Sequence, residues 1–101
     1  MTASPDFCCR RLDTVARLLE IGGPDIDYDN FAPIANVLLQ LLGMTVVEKE
    51  PNADLHVWLV DFEGCRLLLK GEHYSGQMWL EGLDSDAEET LLFLAGLLGK
   101  R

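Results

Sequence analysis

Two histidines and an aspartate carry the most specific chemistry this sequence offers. Asp54 and His56 stand two apart in a run that alternates like a strand, and His73 follows beyond the next turn. With a two-residue turn at Glu63-Gly64, Asp54 faces His73, and His56 is a diagonal neighbour on the same sheet face. Two imidazoles and a carboxylate so placed are ligands for zinc or iron that leave coordination positions open. The placement rests on register, because a slip of one residue sends the groups to opposite faces. Against it stands the plainer reading of two half-exposed histidines at the end of a hairpin.

A second acidic constellation, Asp25, Asp27 and Asp29, alternates as the opening of a calcium loop does. The rest of that pattern fails. Asn30 replaces the turn glycine, Asn36 stands where a bidentate glutamate closes such a site, and Pro24 breaks an incoming helix. These acids are better suited to capping the next helix than to calcium. Cys65 and His56 lie six ladder steps apart, roughly 20 Å at the strand rise, too far to share a proton. Cys8 and Cys9 are adjacent, without the two-residue spacing of a redox dithiol. There is no glycine-rich phosphate cradle and no Gly-x-Ser-x-Gly elbow, so no catalytic residue is assigned and the balance leans away from an enzyme.

The elements that position these groups are legible in part. A chain of 101 residues is a single domain with one core. From residue 44 onward the apolar period is two: Thr45–Lys49, Leu55–Phe62, Cys65–Lys70 and Gln77–Glu81 form an antiparallel meander of about four strands. Two helices flank it. Ile34, Val37, Leu38, Leu41 and Leu42 make an apolar stripe over 30–42 that Gly43 stops. Ser85 and Glu88 are spaced as a capping box for a helix over 85–98. The N-terminal segment fits either a helix, through Cys8, Leu12, Val15 and Leu19, or a β-hairpin turning at Asp13-Thr14. The expected class is therefore α+β, a sheet with two helices packed on it.

Charge and composition exclude more than they assign. The net charge of −9 and scattered bases oppose nucleic acid, whose binding draws on Lys and Arg displacing counterions, and oppose an anionic membrane surface. The longest apolar run, Leu91 to Leu98, is too short to span a bilayer. Three cysteines, two of them neighbours, form no disulfide framework, and the first six residues lack a signal pattern. The cytoplasm is the expected compartment.

Apolar surface is in surplus. Trp58, Val60, Phe62, Leu67 and Leu69 make one hairpin face, while Leu55, Val57, Leu59 and Leu68 make a second that is also apolar. On the last helix Leu92, Phe93 and Leu97 fall outside the stripe of Leu91, Leu94, Ala95 and Leu98. Either the N-terminal segment and helices cover both sheet faces, or Leu55, Val57, Leu59, Leu68, Leu92, Phe93 and Leu97 are an interface for a protein partner or a second copy. The leading expectation is a non-catalytic interaction domain acting as a homodimer without cofactor. The alternative is a small metal protein or metal-dependent enzyme using Asp54, His56 and His73.

Several of these residues also carry a family likeness. Asp54, His56 and Trp58, then Phe62-Glu63-Gly64, Glu72 with Tyr74, and Trp79-Leu80-Glu81 resemble a family of small uncharacterised gammaproteobacterial proteins, a domain of unknown function. The likeness covers about three-quarters of the chain, from Asp25 onward. It implies an α+β fold in a bacterial cytoplasm and supplies no activity.

Overall fold

The computed structural model describes residues 7–51 and 55–99. In chain order the elements are β1 (Cys8–Asp13), β2 (Leu18–Gly22), α1 (Phe31–Leu42), β3 (Thr45–Pro51), β4 (Leu55–Phe62), β5 (Cys65–Glu72), β6 (Gln77–Gly82) and α2 (Ala87–Leu98). The six strands form one antiparallel sheet in the order β1-β2-β6-β5-β4-β3. The meander from β3 to β6 is therefore as its alternation predicts, but the sheet has six strands where about four are expected.

The two extra strands come from the N-terminal segment. Of its two alternatives the hairpin is the one adopted, with Leu12 opposite Leu19 and Asp13 opposite Leu18. Local periodicity balances helix against strand here. The free edge of β6 decides it: β2 pairs there with Leu19 opposite Leu80 and Ile21 opposite Met78, satisfying a row of amides and carbonyls that a helix would leave unpaired. Arg17 turns the chain in a left-handed conformation, and its carbonyl accepts from the Gly82 amide at 2.8 Å.

The β4–β5 hairpin has the register that its turn chemistry dictates, with Phe62 opposite Cys65 and Asp61 opposite Arg66. Glu63 and Gly64 both have positive φ, the geometry that matches strand twist in a two-residue turn. Helix α1 ends where expected. Gly43 at φ 72° lets its own amide and that of Met44 turn back to the Gln40 and Leu39 carbonyls. The capping box on α2 does not form. Asp86 is the N-cap, without a side-chain cap bond, and Ser85 contributes only its backbone carbonyl to the Glu88 amide.

Both helices pack on the same face of the sheet. A Cβ placed on Gly71 of β5 would lie 2.4 Å from the Phe31 ring of α1, and one on Gly82 of β6 would lie 2.5 Å from Ala87 of α2. Gly71 and Gly82 share the face of Leu67 and Leu69, so this face carries the core, where Leu19, Leu67, Leu69, Leu80, Leu91 and Leu94 are fully buried. Among the described residues no helix lies over the opposite face, so within them coverage of both sheet faces, the first of the two alternatives for the apolar surplus, does not occur.

Candidate functional site

The histidine site starts from a loop. Asp27 Oδ1 accepts from the amides of Asp29 and Asn30, at 2.9 and 2.8 Å, and Asn30 Oδ1 accepts from the Asp27 amide at 2.7 Å. These reciprocal bonds turn the chain into α1, so the acid-rich run serves as a helix entry. Asx side chains bond local amides in this way wherever a turn leaves them open. The Tyr28 carbonyl is thereby aimed at β4, where it accepts from His56 Nε2 at 3.1 Å. Because a carbonyl only accepts, His56 Nε2 is the donor of this bond.

Around that bond the rings cluster. His56 stacks on Phe31, with centroids 4.6 Å apart, and meets His73 edge-on at 4.7 Å. Tyr28 covers both imidazoles at 5.0 and 5.2 Å. The spatial meeting of the two histidines is the one expected from the hairpin register; Asp54 lies outside the described residues. Both ring nitrogens of His73 are buried without a hydrogen-bond partner among the described residues. Within the described residues no group of three or more His, Cys, Asp or Glu side chains gathers as a metal site does. Cys8, Cys9 and Cys65 form no disulfide with one another. Tyr28 and Phe31 are the members of this cluster that sequence reasoning missed, and Tyr28 shows why. It lies 28 residues from His56 and carries no local signal.

The uncovered sheet face has a different chemistry. Leu55, Val57 and Leu59 of β4 alternate with the buried His56, Trp58 and Val60 and, with Leu68 of β5, are half-buried. Exposed Glu48 and Glu50 of β3 rim this strip, and with Val57, Leu59 and Leu68 they line a shallow depression of about 120 Å³. Next to it Glu81 accepts from Trp79 Nε1 and pairs with Lys70 Nζ, both at 3.0 Å. Partial burial pushes the Glu81 carboxyl up. The hydrogen bonds from Trp79 and Lys70, with the charge of Lys70, outweigh that and hold it below the ordinary glutamate range.

The sign of the consequence follows. A carboxyl lowered in the folded state adds stability above the ordinary glutamate range, and that stability fades as pH falls through the lowered value. The stability gap between the protein and Glu81→Gln, measured by urea midpoint against pH, should therefore be present at neutral pH and shrink on acidification. A gap that stays constant with pH would show that the ion pair is not its origin.

The third surface is the outer side of α2. Leu92, Phe93 and Leu97 are 59%, 55% and 54% exposed, so the residues expected outside the core stripe do lie outside it. Beside them, between α2 and β1, runs a groove of about 640 Å³ lined by Arg10, Leu12, Leu92, Ala95, Gly96 and Gly99 among others. No helix among the described residues is long and apolar enough to cross a membrane.

These features define the class: an α+β domain in which one six-stranded antiparallel sheet carries two helices on one face, with no helix among the described residues over the other. The family model for a protein of unknown function, DUF3630, matches residues 7–99, and the chain belongs to that family. The likeness seen from Asp25 onward therefore extends through the N-terminal hairpin. No curated protein and no solved structure matches the chain.

Proposed function

We propose that this protein is a non-catalytic interaction domain that works through its uncovered apolar surfaces and forms a homodimer. The observation that supports this most is the outer stripe of α2, where three large apolar side chains lie side by side and more than half exposed. Such a contiguous patch on a soluble domain marks a contact with another protein more often than it goes unused. The bare sheet strip of Leu55, Val57, Leu59 and Leu68 adds a second surface of the same kind. The charge of −9 argues against a nucleic acid or an anionic membrane as the partner. A bacterial cytoplasm is the setting in which three cysteines that form no disulfide with one another would stay reduced.

One observation favours a second reading, a zinc or iron site at His56 and His73. The His56 Nε2–H bond to a backbone carbonyl is the outer contact that usually orients a metal-binding imidazole, and His73 has both nitrogens buried and unpartnered. One experiment separates the readings: native mass with metal retained, across a concentration series, before and after chelation. A dimer that is indifferent to chelator is the expected result. A monomer carrying stoichiometric metal, whose loss lowers the melting temperature, would replace the first reading with the second.

A further inference from the structure

The partner on α2 can be specified, and the specification rests on the interaction reading above. Residues Glu89, Leu92, Phe93, Gly96 and Leu97 recur at helical spacing and form the outward face of α2, where all five are exposed. Gly96 is the informative member. Glycine inside a helix is unfavourable relative to alanine, because its backbone has more freedom to lose. Its φ is not positive, and a Cβ built on it meets nothing within 4 Å among the described residues, so neither backbone conformation nor packing among those residues calls for glycine there. A missing side chain at the centre of an exposed apolar helix face has a use when another helix crosses at that point, since the axes can approach closely.

The geometry points to a second copy of this chain, with the two α2 helices packed antiparallel about a two-fold axis lying between Phe93 and Gly96. That axis sets Phe93 of each copy against the Gly96 gap of the other, and Leu92 against Leu97. An isologous contact requires one patch to complement itself, and this one does so in shape.

Charge selects the same orientation. The stripe begins at Glu89, close to the N-cap Asp86, while Glu88 is half-buried and paired with Arg17 at 3.7 Å; the other end of the stripe adjoins the groove that Arg10 lines. Arg10 is exposed and makes no ion pair among the described residues, whereas Arg11 is occupied by Glu20 and Asp13. Antiparallel packing brings the acidic end of each helix to the Arg10 end of the other. Parallel packing would place acid against acid. Two copies that each carry −9 need such local complementarity, because their net charges repel.

Sedimentation equilibrium on the full chain from low to high micromolar concentration provides the test, with far-ultraviolet circular dichroism confirming the fold of each variant. The protein should be a dimer. Gly96→Leu, which improves helix propensity and meets no described residue of its own chain, should weaken the dimer at least tenfold while raising the melting temperature of the monomer. Arg10→Glu and Glu89→Arg should each weaken it, and the two together should restore it, a rescue that a merely structural role for either residue does not give. If the protein is a dimer that Gly96→Leu leaves intact but Leu59→Glu with Leu68→Glu dissolves, the interaction reading stands and this seam is wrong. If the protein is a monomer at every concentration, both fall.

Discussion

Replacing Phe31 by alanine should cost about 3–5 kcal/mol of folding stability, the range for deleting a fully buried aromatic ring. The ring is completely buried at the first residue of α1. It lies on the bare backbone of Gly71, stacks on His56 with planes 8° apart, and meets the Trp58 edge at 5.1 Å. Little nearby can collapse into the space, because the floor is sheet backbone and two of its walls are the His56 and Trp58 rings. A domain of this size has about 5–15 kcal/mol in total, so the variant should sit near the edge of folding. Urea denaturation reads this directly. A loss under about 1 kcal/mol would mean that α1 shifts to fill the gap, and the described seat of Phe31 would be wrong.

Gly71→Ala is the second large effect, and it is opposite in kind. Its backbone is ordinary, since Gly71 is not among the glycines with positive φ, so the methyl is opposed by contact alone. The new Cβ would lie 2.4 Å from the Phe31 ring and 2.6 Å from Ile26 Cδ1, closer than carbon atoms approach. Overpacking of this kind costs about 1–3 kcal/mol when the neighbours cannot yield. Phe31 is held by the sheet, and the loop carrying Ile26 is tied to the β5–β6 turn through the Gly76 carbonyl, so neither moves cheaply. The two substitutions should be strongly non-additive. In Phe31→Ala the methyl enters vacated space, so Gly71→Ala should add little or even restore stability there. A double-mutant cycle in urea gives the coupling, and simple additivity would show that ring and glycine do not touch.

Phe31, His56 and Gly71 also connect the fold to the candidate metal site. The ring that locks α1 onto the sheet is the one His56 stacks on, and the loop before α1 supplies the carbonyl that orients His56. Losing Phe31 should therefore disturb the histidines as well as the core. Residues on the outer side of α2 are separate from this cluster, which is why the oligomer variants and the core variants report on different things.

How much of this was legible in the chain depends on the range of the interaction concerned. The turn at Glu63-Gly64 and the alternation on either side of it determine the β4–β5 register, because side chains change face with every residue and the apolar set must fall on one side. That register brings His56 and His73 near one another and separates the buried Trp58 and Val60 from the half-buried Val57 and Leu59. The exposure of Leu92, Phe93 and Leu97 was likewise legible, since a helix can turn only one stripe toward a core. The likeness from Asp54 to Glu81 pointed to the right family.

Tertiary contacts decided the rest. The segment before Gly22 satisfies helix and strand patterns about equally, and only the unpaired edge of β6 makes the hairpin the better partner for its backbone. That edge also gives the sheet six strands, while packing over Gly71 and Gly82 sets both helices on one face. The Ser85 capping box yields to a turn in which the Asp84 carboxylate takes the Asp86 amide. Tyr28 reaches His56, and Phe31 reaches Gly71, across gaps in sequence that no local periodicity spans. The sequence by itself determined which residues alternate, which turn and which form a stripe, because those are preferences of neighbouring residues. Which edges join and which faces meet was decided by backbone pairing and close packing over long range, and those exist only once the chain is folded.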